Sequence, residues 1–411
     1  MIGRTTISRT TIRRINVILF VITFALRSYT DAVYEANGIH GGLVVNLKYV
    51  SLIFGIAFCL LQLLNRKKNQ VEYDVVFAKE SHYVTMAIVS VFTLSLFESL
   101  FHTGIDATSQ MISELVKLIL PILYAYLVLN TFDFEDIYWS MTFVLFFSIL
   151  GFVFEIGVNT FTLENLQRIN FNTSYSPFES HYAAGSAIAM CTFFMYYRKN
   201  KILEIISLLF AIATFKRAAV VFAILIFVLP MIFDMSVLVK KRTVNAFKFA
   251  FVLLTYIYYW VQLPSNENLF ERTFKIDADM FTMGRSGYIS KLISSNFVST
   301  GFGSTTMFIG KSIEMDLIKI MLEVGIIGLM IFIWCYFECA GRIRYSLLYM
   351  VFVFFNLLTS HSLTNAFSWI LVFVILGTIN YKEPEDISRY IRRRKRSSEN
   401  MVEKRYGGSF N

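Results

Sequence analysis

The sequence predicts an all-α polytopic membrane protein with about 12 transmembrane helices and one large exterior loop. Of the 411 residues, 56% are hydrophobic and only 16% are charged, whereas a soluble globular protein carries about 25% charged residues. The chain also contains 42 Phe and 22 Tyr residues. Its apolar residues fall into segments of about 20 residues, which is the length that an α-helix needs to cross the hydrocarbon core of a bilayer.

These apolar segments follow one another along the whole chain. We place them near 15–30, 43–64, 83–101, 112–130, 138–157, 181–197, 202–215, 218–236, 247–263, 316–337, 345–359 and 364–380. The basic N-terminus could begin a signal peptide, but no small-residue cleavage site follows it, so we interpret the first segment as a retained helix. The chain, 1–411, is expected to form a single integral membrane domain.

Two adjacent cations, Lys216 and Arg217, interrupt the longest apolar stretch, which runs over 202–236. One helix over this stretch would be about 50 Å long, much longer than the bilayer core. A charge at the centre of a bilayer also costs about 2.5–3.5 kcal/mol. The sequence therefore predicts two short helices that are joined by a turn at the two cations.

The basic residues indicate the orientation of the chain. If the N-terminus is cytoplasmic, every strong basic cluster lies on the cytoplasmic side, as the positive-inside rule requires. These clusters lie at 65–69, 198–201, 240–242, 341–344 and 389–396, the last within a basic cytoplasmic tail, 381–411. Both termini are then cytoplasmic. The net charge of +9 accordingly indicates membrane topology and contact with anionic lipids, and no nucleic-acid partner is expected.

The longest connector, 264–314, is placed outside by this count. Apolar residues recur in it at helical spacing: Tyr288, Leu292, Ile293 and Phe297. This pattern predicts a short amphipathic helix that lies on the membrane. Gly301 and Gly303 are expected to end that helix.

Three exterior cations, Lys216, Arg217 and Arg285, go against the positive-inside bias and need another explanation. Arg presents a rigid fork of donors that suits phosphate and pyrophosphate. We therefore predict that these cations bind a lipid-linked diphosphate. The alternative is that they cap turns and point at lipid headgroups, and this interpretation suits Lys216 better than Arg217.

Other polar residues near the exterior surface are candidates for substrate binding or catalysis. Glu314 and Asp316 start a helix, and either carboxylate could act as a general base that takes a proton from a sugar hydroxyl. His181 opens a helix rich in small residues, either as the lip of a cavity or as an interfacial anchor. His361 lies in a short outer turn, where it could bind sugar or phosphate or be an ordinary loop residue.

The sequence contains no motif of a soluble enzyme: there is no Walker loop, GxSxG, HExxH or dinucleotide fingerprint. No cofactor is therefore expected. Cys335 and Cys339 are one helical turn apart and make only a weak candidate for metal binding, so no metal is expected either. Lys319 and Glu323 lie in the same helix, where ionisable residues are functional candidates by default, or they could simply pair with each other at i, i+4 spacing.

Three stretches together resemble the Wzy-type polymerases of O-antigen and capsule repeat units, which are related to the O-antigen ligases. Residues 214–221 hold an exterior Arg in a helix hairpin, and 283–289 hold a Gly-Arg motif in a large exterior loop. The helix that follows, within 313–329, has an acidic start and the pattern LxxxMLExGIIGL. The resemblance covers most of the chain as topology and these stretches as sequence.

The resemblance implies a metal- and nucleotide-independent glycosyltransferase at the outer face of the bacterial cytoplasmic membrane. It would polymerise undecaprenyl-pyrophosphate-linked repeat units into O-antigen, capsular or exopolysaccharide, with pyrophosphate-lipid as the leaving group. Arg217 matches the hairpin Arg of the family and Arg285 its loop Arg. The ligases often have a His where this chain has Glu314, which favours a polymerase. Membrane lipids and a chain-length regulator protein are further candidate partners.

Three alternatives remain open at this stage. A lipid-linked oligosaccharide flippase also has about 12 spans, but it should carry charges within several helices and have short loops. An O-antigen ligase shares the fold and the leaving group. A non-catalytic membrane scaffold would leave the exterior arginines unexplained.

Overall fold

The structure, a computed structural model, describes residues 9–35, 42–68, 74–101, 107–170 and 176–382, where the chain is folded into α-helices without β-strands. The helices are α1 (Arg9–Thr30), α2 (Leu43–Lys68), α3 (Ala78–Phe101), α4 (Ala107–Thr131), α5 (Phe134–Ile156), α6 (Leu163–Gln167), α7 (His181–Tyr197), α8 (Lys201–Ala213), α9 (Arg217–Ile232), α10 (Lys241–Val261), α11 (Glu267–Phe274), α12 (Ala278–Thr282), α13 (Ser286–Ser294), α14 (Ser304–Ile309), α15 (Asp316–Phe337), α16 (Arg344–Thr359) and α17 (Ala366–Tyr381). The predicted basic tail lies outside the described residues beyond Lys382.

In this part of the chain, 7 helices are long and apolar enough to cross a membrane, namely α1 to α5, α10 and α15. The chain is therefore an all-α membrane protein, as predicted, but the prediction of about 12 spans exceeds this number. The remaining predicted segments form α7, α8, α9, α16 and α17, which have 17, 13, 16, 16 and 16 residues. At 1.5 Å per residue these helices are about 20–26 Å long, shorter than the hydrocarbon core of about 30 Å.

Capping residues and a break in the backbone explain why these helices are short. The side chains of Ser180, Asn200 and Asn365 cap the N-termini of α7, α8 and α17, which satisfies backbone N–H groups that have no partner within the helix. Phe215, between α8 and α9, has a φ of +48° and cannot continue a helix. Hydropathy does not register caps or breaks, so the segments predicted at 202–215 and 218–236 ran past the ends of α8 and α9, whereas the segment 181–197 matches α7.

Consecutive long helices run in alternating directions, as the contacts between their ends show. At one end, Asp316 at the start of α15 accepts a hydrogen bond from the backbone N of Leu363, just before α17. At the other end, Arg13 near the start of α1 binds Asp136 near the start of α5. We call these the His361 end and the Arg13 end of the bundle.

The central helix of the bundle is α17, which packs mainly against α4 and α7. Its side chains are buried almost continuously from Ala366 to Ile379. Trp369 and Phe373 stack with ring centroids 5.2 Å apart, and both contact the ring of Tyr336 in α15. A helix that is apolar all round is typical of a buried position. The core thus surrounds α17, whose N-terminus lies at the His361 end.

The connector between α10 and α15 is built from the short helices α11 to α14. The predicted amphipathic helix is present as α13, with Leu292 buried, but it ends at Ser294 and excludes Phe297. Asn296 has a φ of +49°, so the chain leaves the helix well before Gly301. The predicted glycine terminator was therefore wrong.

The polar segment after α13 lies against a break in α15. Gly325 has a φ of +74° and a ψ of 176°, which interrupts the helix. The carboxylate of Glu323 accepts hydrogen bonds from the backbone N of Gly303 (2.8 Å) and Thr305 (2.9 Å), and its backbone O accepts one from the hydroxyl of Ser299 (2.7 Å). Non-helical backbone at membrane depth is stable where protein satisfies its polar groups. These bonds thus fix the connector to α15.

Candidate functional site

The turn between α8 and α9 is the hairpin that the sequence predicted. Here α8 ends at Ala213 and α9 begins at Arg217. Phe215 occupies the left-handed region of the backbone, which is unfavourable for a bulky residue. The backbone O of Thr214 accepts a hydrogen bond from the backbone N of Ser180 at 3.4 Å. The turn is thereby held against the start of α7.

The two cations of this turn point in different directions. Lys216 turns into the bundle, and its Nζ donates to Oδ1 of Asn356 at 3.2 Å. Arg217 reaches towards the connector, where its Nη2 lies 3.0 Å from Sδ of Met283. Burial lowers the pKa of Lys216 to about 8, although the nearby carboxylate of Glu179 opposes the shift. The interpretation of Lys216 as a headgroup anchor is therefore corrected.

Arg285 follows a tight turn in which Met283 and Gly284 both have positive φ values, of 56° and 79°. Its Nη1 donates to the backbone O of Thr282, and its Nη2 donates to Oε2 of Glu314, each at 3.0 Å. Its Nε is buried and lacks a well-aligned hydrogen-bond partner among the described residues, although the hydroxyl of Tyr258 also interacts with the guanidinium. A buried donor without such a partner requires an explanation, and a bound anion would supply one.

Asp316 and His361 form a hydrogen-bonded pair, and Asp316 has a charge interaction with Lys216. Asp316 is fully buried, and its Oδ1 lies 3.0 Å from Nδ1 of His361. Its other oxygen accepts hydrogen bonds from the backbone N of Ser362 (2.5 Å) and Leu363 (2.6 Å). Nε2 of His361 lies 3.3 Å from the hydroxyl of Thr364. The loop before α17 therefore closes around the first residue of α15.

This geometry reverses the roles that the sequence predicted for the pair. Asp316 has no exposed surface, so it can orient His361 but cannot take a proton directly from a substrate. Burial lowers the pKa of His361, but the charge and the hydrogen bond of Asp316 outweigh burial and raise that pKa above its ordinary value. His361 keeps a third of its side chain exposed (33%). It is therefore the better candidate for a general base.

The other predicted residues lie nearby. Glu314 is half exposed and binds Arg285. His181 is the first residue of α7, but its side chain lies outside the described part of the structure. The residue before it, Ser180, caps α7 and donates its hydroxyl to Oε2 of Glu155 at 2.7 Å.

Lys319 and Glu323 do not form the i, i+4 pair that the sequence allowed. Lys319 is fully buried, and its Nζ donates to Oε2 of Glu114 in α4 at 2.5 Å. Oε1 of Glu114 accepts a further hydrogen bond from the amide of Gln110. Glu323 binds the connector instead, as described above. The sequence missed Glu114 because its partner lies 205 residues away.

A second buried ionic cluster was not predicted from the sequence. Asp31 accepts hydrogen bonds from Nε of Arg27 (3.1 Å) and Nζ of Lys48 (3.0 Å). Arg27 also donates to the hydroxyls of Ser186 (3.1 Å) and Ser368 (3.3 Å). The sequence did contain a signal for this cluster, because Arg27 and Lys48 each lie within a predicted apolar segment. A charged residue in such a segment is a functional candidate by default.

The structure brings most of the predicted site residues together at the His361 end. Charge interactions link Lys216 to Arg285, Glu314 and Asp316, and Met283 links Arg217 to the turn before Arg285. Lys216 thus connects Arg285 to Asp316, which orients His361. Such a site can bind an anion and accept a proton next to it.

No group of three or more His, Cys, Asp and Glu side chains within the described ranges is arranged to hold a metal ion. Comparison with protein-family models, with curated proteins and with solved structures found no match for this chain.

Proposed function

We propose that the protein is a glycosyltransferase of the cytoplasmic membrane that polymerises glycan repeat units carried on a polyprenyl diphosphate, with undecaprenyl pyrophosphate as the expected carrier. The observation that supports this function best is that Lys216 has charge interactions with Arg285, Glu314 and Asp316, the residue that holds His361. Arg217 reaches the turn before Arg285 through Met283. A diphosphate leaving group needs fixed cations, and an acceptor hydroxyl needs a base. Both are available within one site.

In the proposed reaction, a hydroxyl oxygen of the acceptor glycan forms a bond to the anomeric carbon of the donor. The bond from that carbon to the diphosphate oxygen breaks, and the diphosphate leaves with the electron pair. Arg285 and the two hairpin cations stabilise the negative charge that develops on the leaving oxygens. Nε2 of His361 takes the proton of the attacking hydroxyl, while Asp316 holds the ring in position.

The proposal includes the orientation of the chain. We place the His361 end at the outer face of the membrane and both termini in the cytoplasm. The alternating helix directions support this arrangement. Basic residues of the predicted cytoplasmic connectors, Arg66 and Lys199, lie at the Arg13 end, where they bind α4 and α5.

Reconstitution tests the proposed reaction. Lipid-linked repeat units are purified from a host strain that lacks the gene and are incorporated with the protein into proteoliposomes. We expect a ladder of polymer lengths together with free polyprenyl diphosphate, in buffer with a chelator and without nucleotides. Absence of any glycan longer than one repeat unit, with folded protein and intact donor, would refute the proposal. A single transfer only to lipid A core, when that acceptor is supplied, would indicate a ligase.

A transporter is the second candidate, and one observation favours it. Charged residues within α1, α2, α4 and α15 form the buried pairs around Asp31 and between Lys319 and Glu114, and transporters carry such charges along their central path. The same vesicles distinguish the two candidates. Movement of fluorescently labelled lipid-linked glycan between leaflets, without polymer formation, would favour a flippase.

A further inference from the structure

Asn356 is the only polar residue in the apolar run 351–358 of α16. It lies in the last turn of that helix, which ends at Thr359. Asparagine has a low helix propensity, and its amide destabilises an apolar segment unless hydrogen-bond partners are available. Its place here therefore requires partners that its neighbours in the helix do not supply.

Both ends of the Asn356 amide have partners at the His361 end of the bundle. Its Oδ1 accepts a hydrogen bond from Nζ of Lys216 at 3.2 Å, and its Nδ2 donates to the hydroxyl oxygen of Ser362 at 3.1 Å. A charged lysine ammonium only donates hydrogen bonds. The cation therefore fixes which end of the amide faces the hairpin and which end faces the loop.

The amide joins the two halves of the candidate site. Lys216 belongs to the hairpin before α9, and Ser362 belongs to the loop that carries His361. The backbone N of Ser362 donates to Oδ2 of Asp316, whose Oδ1 lies 3.0 Å from Nδ1 of His361. A continuous series of hydrogen bonds thus runs from a cation to the candidate base through one side chain, Asn356. Reaction rates depend steeply on the relative position of such groups.

A second asparagine provides a contrast within the same fold. Asn380 in α17 accepts a hydrogen bond from the hydroxyl of Ser346 at 3.2 Å and donates to the backbone O of Cys339 at 3.3 Å. These bonds join α16 and α17 at the Arg13 end, and their partners are a hydroxyl and a backbone carbonyl. Asn356 likewise binds a serine, but its other partner is a cation of the proposed diphosphate site.

We propose that Asn356 is a positioning residue of the polymerisation reaction, which holds Lys216 for the diphosphate of the donor and, through Ser362, fixes the Asp316–His361 pair relative to that cation. The proposal rests on the glycosyltransferase function above and adds a residue that acts through its two partners. Donor binding and proton transfer then share one structural element. A change at Asn356 should alter the KM for the donor and the rate at saturating donor, while the KM for the acceptor stays constant.

Asn356→Leu and Ser362→Ala, alone and together, test the bridge. Asn356→Leu should raise the KM for the donor about tenfold, because a hydrogen bond to a charged group is lost. Each single variant should lower the rate at saturating donor about three- to tenfold, the equivalent of one neutral hydrogen bond. The double variant should be no slower than Asn356→Leu, since both substitutions break the same bond. Wild-type rates in both single variants, or losses that multiply in the double variant, would overturn the bridge.

The same type of bond at the opposite end supplies the matched control. Asn380→Leu and Ser346→Ala break the hydrogen bond between Asn380 and Ser346. These variants should change the amount of folded protein and leave the rate per folded molecule within about twofold of wild type. Rate losses equal to those of Asn356→Leu would show that any buried amide has this effect, and would overturn the specific role of Asn356.

The pH profile gives a readout that a merely structural amide would not change. The pKa of Lys216 is about 8, so the rate should fall as the pH rises through this value. The other charged groups that act on Lys216 are Glu179, Arg285, Glu314 and Asp316. Asn356→Asp retains the shape of the side chain but places a carboxylate beside Nζ, which should move the alkaline limb about one pH unit higher. Asn380→Asp should leave the limb in place, and an unchanged limb in Asn356→Asp would refute the contact.

A binding experiment separates failure of the positioning role from failure of the proposed function. The probe is farnesyl diphosphate, a short polyprenyl diphosphate, titrated by calorimetry into the protein in detergent at pH 7 and pH 10. Asn356→Leu should bind it about tenfold more weakly than wild type at pH 7, and Asn356→Asp should lose less affinity than wild type between the two pH values. This pattern without polymerisation would retain the role of Asn356 in anion binding and refute the enzyme. Polymerisation with equal affinities in all three proteins would refute the positioning role alone.

Discussion

The two ends of the helix bundle differ in how their described cations are paired. At the Arg13 end, cations are matched with carboxylates: Arg13 binds Asp133 (2.5 Å) and Asp136 (2.6 Å), and Lys199 binds Glu135 (2.6 Å). At the His361 end, by contrast, Arg285 retains a buried Nε without a well-aligned partner in the described part of the chain.

This contrast indicates which end is stabilised by its charges and which end is prepared for a ligand. The cations of the Arg13 end are thus paired and leave little for an anion to gain, although one carboxylate oxygen each of Glu80 and Glu204 at this end is buried without a hydrogen-bond partner among the described residues. Incomplete pairing costs stability, because a buried donor without a partner loses about 1–3 kcal/mol. That cost is expected at a site where an anion later supplies the missing partner.

The largest loss of activity is expected when His361 is replaced. His361→Gln should lower the polymerisation rate about 10²–10⁴-fold, the usual range for a general base, while an amide can still bond to Asp316 and support the loop. Single-turnover rates in proteoliposomes measure the effect. A variant that retains more than half of the wild-type rate would remove His361 from the mechanism.

The pH profile distinguishes the roles of His361 and Asp316. Since His361 must be neutral to take a proton, the rate should rise with pH through its raised pKa. Asp316→Asn removes the charge that raises this pKa, so the acid limb of the profile should shift to lower pH. An acid limb that stays in place would indicate that Asp316 does not act through His361.

Replacement of Arg285 should have the next largest effect. Arg285→Ala is expected to lower the rate about 10²–10³-fold. Enzymes typically lose this much when one fixed hydrogen-bond donor to the negative charge of the transition state is removed. Arg217→Ala should also abolish long-chain glycan, with protein level and single-repeat product unchanged. Glycan ladders from cells that express each variant measure this outcome. Normal chain lengths in both variants would contradict the proposed diphosphate site.

The connector between α10 and α15 should contribute to the stability of the protein through its hydrogen bonds to Glu323. Thr305→Val removes the hydroxyl that bonds the buried Glu323 carboxylate and should destabilise the protein by about 1–3 kcal/mol. The temperature of aggregation in detergent should fall accordingly. Thr273→Val, in exposed α11, is the matched control, and equal effects of the two substitutions would argue against a structural role for Glu323.

Lys216 should contribute less, and its effect should depend on pH. Because its pKa is about 8, the residue is charged at pH 7 and largely neutral at pH 10. Lys216→Met should therefore lower the rate about tenfold at pH 7, the equivalent of one weak charge contact, and hardly at all at pH 10. Lys216→Arg should move the alkaline limb to higher pH. Equal losses from Lys216→Met at both pH values would exclude an electrostatic role.

The sequence predicted the helices better than the partners of their charged residues. Composition and hydropathy placed a helix at each of the 12 segments, because apolar runs are local signals. The hairpin at Lys216 was predicted for the same reason. The predicted bounds were too wide where Phe215 prevents α8 from continuing and where the cap residue Asn365 delays the start of α17.

The chemistry of the site was less predictable because it depends on contacts between distant residues. Asp316 and His361 are 45 residues apart, and Lys216 and Asn356 are 140 apart. Sequence pattern indicated that each residue was a candidate, but not that Asp316 would be buried or that Lys216 would turn inward. The partner of Lys319 could not be predicted because the i, i+4 rule considers only its own helix.

The smallest effect on activity is expected at the Arg13 end. Arg13→Ala removes two ion pairs, but 38% of the arginine side chain is exposed, so solvent screens them and the loss of stability should be about 0–1 kcal/mol. The polymerisation rate per folded molecule should stay within about twofold of wild type, since this end makes no contact with the proposed substrates. A loss comparable to that of Arg285→Ala would show that the two ends are coupled, because a local ion pair cannot affect chemistry at the opposite end unless the helices between them move.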